Sequence, residues 1–265
     1  MVAVSVWQES LFDTADEPGL RDLGDSVHRI ELGGGAWLDH RPGWIERHDL
    51  LFDALATQVA WRSEERVMYD RTVAVPRLLA SFAEGAPAPH PLLAEARGAL
   101  VDHYRGVAGG DLATIGACLY RDGGDSVAWH GDTVGRGARE DTLVAIVSLG
   151  WHRRFALRPR HGGPRPLRFD LGGGDLLVMG GSCQRTWEHA VPKTTRPVGA
   201  RISVQFRPVG VSCPAPSAQL STTTNGSAIS SPDSTAAGTC SGTGSSRAMS
   251  APATSPNPAI MKARR

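Results

Sequence analysis

"LYRDGGDSVAWHGD" (residues 119–132) ends one apolar run at Tyr120, turns through Asp122-Gly123-Gly124 and begins a second run at Ser126. Read as a strand entering a turn, the second run alternates, and alternation puts His130 and Asp132 on one face. A histidine and an aspartate two residues apart make either half of a metal site or a polar turn at a strand end. The triplet alone leaves both open.

Working outward, the same texture continues on either side. "LATIGACLYR" (112–121), "TLVAIVSLG" (142–150), "RRFALRPR" (153–160), "PLRFDLGGGDLLVMGG" (166–181) and "GARISVQFRP" (199–208) are short apolar or alternating runs between Gly- and Pro-rich turns. Regular short strands of this kind predict a sandwich, barrel or jelly roll. The chain before residue 111 reads differently. "DLLFDALATQV" (49–59) has apolar residues at helical spacing, and "PLLAEARGALVDHYRG" (91–106) carries a Leu92, Leu93, Ala96, Leu100, Val101, Tyr104 stripe. Pro91 suits the first turn and Gly106 a helix stop. The expected fold is therefore mainly β with flanking helices (α+β). One domain spans 1–210, with helical and lid elements over about 1–110 and the β core over about 111–210.

Composition bounds the rest. The 265 residues carry 28 basic and 27 acidic side chains, so no global polycation marks a nucleic-acid binder, although a local basic groove stays open. Four widely spaced cysteines (Cys118, Cys183, Cys213, Cys240) without a C-x-x-C pair fit a reduced, cytoplasmic protein better than a disulfide scaffold. The N-terminus lacks the features of a signal peptide, and no apolar run is long enough to span a bilayer. From Val211 to Arg265 there is one acid, no aromatic residue, and mostly Ser, Thr, Ala, Pro and Gly, which predicts a disordered tail.

If His130 and Asp132 bind a metal, a third ligand has to come from a distant strand. His189 in "RTWEHAVPK", just after the glycine-rich "GDLLVMGGS", is the candidate. Two histidines and one carboxylate with open positions form the facial triad of non-haem Fe(II) oxygenases. In "RISVQFR" (201–207), Arg201, Ser203, Gln205 and Arg207 alternate with apolar residues. Two arginines on one strand face leave a gap suited to a short dicarboxylate, which a planar guanidinium grips in bidentate fashion. His40, His48, His103, His152 and His161 lack such a setting.

Taken together, "LYRDGGDSVAWHGD", "GDLLVMGGSCQRTWEHAVPK" and "RISVQFR", with "VPR" (75–77) upstream, resemble the AlkB family of Fe(II)/2-oxoglutarate-dependent nucleic-acid dealkylating dioxygenases. The match keeps the order and approximate spacing of every block over roughly residues 60–208. The resemblance implies a double-stranded β-helix (jelly-roll) core and Fe(II) held by His130, Asp132 and His189. It places Arg201 at the distal carboxylate of 2-oxoglutarate, Arg207 near the carboxylate beside the keto group, and Tyr120 in a hydrogen bond to the cosubstrate. Ser203 and Cys118 stand where many relatives have asparagine, and a thiol is a far weaker hydrogen-bond partner than an amide.

The implied reaction uses O2 and 2-oxoglutarate to hydroxylate an alkyl carbon on a base, which then sheds formaldehyde. The implied substrate is an alkylated base of the 1-methyladenine or 3-methylcytosine type in DNA or RNA, flipped out or already single-stranded. The chain is expected to act as a monomer in DNA alkylation-damage repair. His130 would form one wall of the base pocket. Tyr69 and Phe82 are candidates for the opposite wall, Met68 for a wedge into the stack, and Trp129, Thr133 and Val134 for further contacts. Arginines of "GRGARE" (135–140) and "WHRRFALRPRH" (151–161) are candidates for phosphate contacts. Thr133 and Val134 bear no charge where relatives often carry an acid, which predicts weaker discrimination for cationic over neutral lesions than acid-bearing relatives show. Two rival readings are an oxygenase acting on a protein or small molecule and a non-catalytic nucleic-acid-binding module.

Overall fold

The computed structural model describes residues 17–68, 71–163 and 165–212. Twelve strands of the described residues form two sheets: β1 His28–Gly33, β2 Ala36–Arg41, β3 Arg62–Met68, β4 Arg71–Phe82, β5 Leu112–Tyr120, β6 Val127–His130, β7 Val144–Gly150, β8 Arg153–Pro159, β9 Leu167–Leu171, β10 Asp175–Gly181, β11 Trp187–Val191 and β12 Arg201–Pro208. The larger sheet has the order β1-β2-β10-β7-β12-β5-β4-β3 and the smaller β9-β8-β11-β6. Their pairings are antiparallel throughout. This is a jelly-roll fold of mainly β character.

Strand β7 shows why the core closes as it does. Its residues are buried along nearly the whole length. Ala145, Val147 and Leu149 pack with one apolar cluster, while Val144 and Ile146 pack with another. A strand buried on both faces reads as a continuous apolar run, which is how "LVAIVSLG" reads. The first cluster lies under two helices, α1 His48–Gln58 and α2 Pro91–His103, through Leu51, Leu55, Leu93 and Leu100. The second joins the two sheets through Phe155, Leu157, Trp187 and Val191 of the smaller one.

Helix α2 starts where the sequence expects, with Pro91 in its first turn and the His90 side chain accepting from the Leu92 backbone N–H. Just past its end, buried Tyr104 donates its hydroxyl to Asp39 at 2.9 Å. Asp39 also receives two bonds from Arg29, each 2.8 Å, so one buried carboxylate ties β1, β2 and the helix together. Burial, then the neighbouring Asp39 charge, pushes the Tyr104 hydroxyl pKa upward.

Two expectations are corrected. The region before residue 111 is not only helices and lid, because β1–β4 supply half of the larger sheet. The domain boundary also moves: Val211–Ser212 pairs with Val134–Gly135, and Val211 is 4% exposed, so the fold runs past residue 210. The rest of the expected tail lies outside the described residues. None of the described helices is long and apolar enough to cross a membrane.

Candidate active site

Sheet register builds the centre of the site. Strands β6 and β11 pair with His130 directly opposite His189, which brings the two imidazoles to 4.2 Å between centroids. After His130 the strand ends and the chain turns, with the Thr133 N–H bonded to the Gly131 carbonyl at 2.8 Å. That turn places the fully buried Asp132 so that its Oδ1 lies 3.9 Å from His130 Nε2. Ligand atoms of His130, Asp132 and His189 all fall within 4.8 Å of one another.

Several neighbours hold these groups in ligand-ready form. His130 Nδ1 sits 2.8 Å from the Ala128 carbonyl. With that nitrogen protonated, the Nε2 lone pair faces the cluster. Asp132 Oδ2 accepts from Arg207 Nε at 2.7 Å, and the Asp132 N–H donates to Gln184 Oε1 at 2.9 Å. Asp132 Oδ1 is buried with no hydrogen-bond partner. The His189 ring stacks on Phe155, 20° from parallel. Glycine is required at 131, because a Cβ there would lie 2.4 Å from the Gln184 carbonyl oxygen and 2.9 Å from Arg160.

Electrostatics favour the same states. Burial pushes the His189 pKa down to about 3, helped by His130 and opposed by Asp132. Burial likewise lowers His130. For Asp132, burial acts upward, but Arg207, His189 and His130 outweigh it and the carboxyl pKa is lowered. The cluster therefore offers two neutral imidazoles and one carboxylate. An orphaned carboxylate oxygen beside two imidazoles fits Fe(II), whose ligands must be free of protons.

A second vacancy in bonding lies on the larger sheet. Arg201 is 1% exposed and donates Nε–H to Ser148 Oγ at 2.8 Å, while Nη1 and Nη2 are buried without a hydrogen-bond partner. Its guanidinium lies 5.3 Å from the centre of the Tyr120 ring. A buried fork with two unused donor nitrogens fits a carboxylate of 2-oxoglutarate. Ser203 and Cys118 face each other across β12 and β5 in the same region. Gln205 links them, with Nε2 donating to Ser203 Oγ at 2.7 Å and Oε1 lying 3.9 Å from the Cys118 sulfur.

Tyr120, Cys118, Ser203, Gln205, Arg207, His130 and His189 line a cavity of about 580 Å³, with Arg201 and Asp132 buried off its wall. Phe82 also lines it, partly packed on the core beneath the helices. Three other expected base contacts, Trp129, Thr133 and Val134, are elsewhere. Alternation turns Trp129 away from the cavity, where Arg158 stacks on it at 4.3 Å. Thr133 and Val134 lie beyond the turn and off the cavity wall, with Val134 paired to Ser212 and 40% exposed. Met68 ends β3, its side chain outside the described residues, as is Tyr69.

The expected phosphate arginines are also corrected in part. Arg153 is buried and donates to the carbonyls of Asp122, Asp125 and Pro192, a purely internal role. Arg136, Arg154 and Arg158 pair with Glu140, Asp170 and Glu188. Sequence reading missed Gln184, Phe155 and Ser148. Only Ser148 carried a signal, a lone hydroxyl in a buried apolar strand, which needs a partner.

The sequence profile of the 2OG-Fe(II) oxygenase superfamily matches residues 53–207. Among curated relatives, "Alpha-ketoglutarate-dependent dioxygenase alkB homolog 3" of Homo sapiens is 28% identical over 74% of this chain and 74% of its own. The Bos taurus protein of that name is 29% identical over 63% of this chain, and the chain spans 64% of its length. "DNA oxidative demethylase ALKBH2" of Arabidopsis thaliana is 33% identical over 33% of this chain and 35% of its own. The chain belongs to the 2OG-Fe(II) oxygenase superfamily and, within it, to the AlkB family of 2-oxoglutarate-dependent dioxygenases.

Proposed function

We propose that this dioxygenase oxidatively dealkylates bases of the 1-methyladenine and 3-methylcytosine type in nucleic acid, as repair of alkylation damage. The reading rests chiefly on one observation. The cavity continues from the metal-type triad past Arg207 and Gln205 to Leu79, Ser81 and Arg62, well beyond what a small dicarboxylate fills. A flipped-out base fits that remaining space, and an extruded nucleotide is how such chemistry reaches a base.

Fe(II), 2-oxoglutarate and O2, when bound, supply the oxidation that hydroxylates the alkyl carbon so that formaldehyde leaves. The chain does the rest. His130, Asp132 and His189 hold the metal, Arg207 fixes Asp132 with one oxygen turned inward, and Arg201 receives the distal carboxylate. His130, on the cavity wall, also contacts the base. The relatives' printed names, one a DNA oxidative demethylase, support the substrate class.

The test is formaldehyde release coupled to succinate from oligonucleotides bearing single methylated bases, beside unmethylated controls. Equimolar succinate and formaldehyde on a methylated strand are expected. Succinate without formaldehyde on every strand would transfer the reading to a protein or small-molecule substrate.

A further inference from the structure

We propose that Glu64 reads the charge of the substrate base, and so sets a preference for cationic lesions. This rests on the dealkylase reading above and adds a residue that neither the metal triad nor the cosubstrate anchor uses. Edge strand β3 pairs Arg62 with Leu79, and Leu79 pairs with Cys118, which faces Ser203. Glu64 lies two residues from Arg62, on the same face. That face is the cavity wall, and Glu64 lines it half-buried.

The local register explains its aim. Between Ser63 and Glu65 the partner strand jumps from Leu78 to Ala74, so Val75, Pro76 and Arg77 bulge opposite Glu64. Such bulges re-aim a side chain and recur beside active sites. Glu64 is also uncommitted. Asp125 pairs with Arg121, Asp132 with Arg207, Glu140 with Arg136, Asp141 with Arg185, and Glu188 with Arg158. Among the described residues no hydrogen bond or ion pair joins the Glu64 carboxylate to another side chain, and Glu64 is the one acid on the described cavity wall.

The remaining charges of that wall are arginines: Arg62, Arg77 and Arg207. Arg207 is already paired with Asp132, so a carboxylate on this wall draws in a cationic base by its charge, whereas a neutral base is nearly indifferent. Glu64 supplies that carboxylate, and its oxygen can also accept from a base's exocyclic amine. Thr133 and Val134 lack a charge and lie off the wall, so selectivity passes to a different strand.

The experiment compares wild type with Glu64→Gln, which keeps shape and acceptor but loses charge, and with Glu64→Lys. Two readouts are taken on matched single-stranded oligonucleotides holding 3-methylcytosine or neutral 3-methylthymine: kcat/KM for formaldehyde release, and anaerobic Kd by fluorescence. Glu64→Gln should lower the cationic-over-neutral ratio about fivefold to tenfold in both, as suits a half-screened charge. Glu64→Lys should lower it further, with melting temperatures certifying the fold. Normal turnover with both ratios unmoved would overturn the role of Glu64 alone. Wild type that neither binds nor dealkylates either strand would overturn the dealkylase reading and this inference with it.

Discussion

Replacing Arg201 by methionine should move cosubstrate affinity and stability in opposite directions. Arg201 is 1% exposed, with one bond to Ser148 and two terminal nitrogens that lack a hydrogen-bond partner among the described residues beside the Tyr120 ring. When 2-oxoglutarate binds, those nitrogens gain two hydrogen bonds to a charged oxygen pair, each worth about 1.5–3 kcal/mol. Losing both strands a buried carboxylate at a cost of roughly 3–5 kcal/mol. At tenfold per 1.4 kcal/mol, the 2-oxoglutarate half-saturation rises on the order of 10²- to 10³-fold. Without cosubstrate the sign reverses. Unsatisfied buried donors cost about 1–3 kcal/mol, and removing them offsets the lost Ser148 bond of about 1 kcal/mol. Arg201→Met should then melt no lower than wild type in the absence of 2-oxoglutarate, yet lose the rise in Tm that the cosubstrate gives by mass action. Cosubstrate titration at fixed oligonucleotide, with thermal melts at graded 2-oxoglutarate, measures both. An unchanged half-saturation together with an undiminished thermal shift would refute the anchoring role.

Two further outcomes follow from packing. Tyr104→Phe removes a buried hydroxyl bond to the Asp39 carboxylate and should cost about 1.5–3 kcal/mol in denaturant melts, with 2-oxoglutarate half-saturation unaltered. A chain ended at Gly210 loses buried Val211 and its pairing with Gly135, which should lower stability by about 1.5–3 kcal/mol, whereas one ended at Ser212 should melt like the full chain.

The metal cluster was legible in the sequence because its ligands sit in short, ordered blocks whose strands have clear periodicity. The pairing of His130 with His189 turns two of those blocks into one site. Asp132 departs from the strand alternation that the sequence suggests. Strand alternation ends at His130, and a turn closed on Gly131 rather than the pleat delivers the carboxylate. The same turn carries Thr133 and Val134 off the cavity wall, away from the base contacts that the family resemblance implies for them. Strand β3 was illegible for another reason. "RSEERVM" has too few apolar residues to alternate visibly, because an edge strand tolerates charge that a central strand does not. Glu64 was hidden with it. Gln184 and Phe155 act only across the fold, through one hydrogen bond and one ring stack, and nothing near them in sequence marks either contact.

The central claim is that His130, Asp132 and His189 hold one Fe(II) on which 2-oxoglutarate docks. Anaerobic titration of the purified chain with Fe(II) and then 2-oxoglutarate, followed by metal-to-ligand charge-transfer absorption, reads that claim without turnover. The account predicts one equivalent of Fe(II) per chain and an absorption band that appears with the cosubstrate. The band should be lost in His189→Ala and Asp132→Ala variants that melt cooperatively. A band of full intensity in either variant, or a wild-type chain that binds no Fe(II), would contradict it.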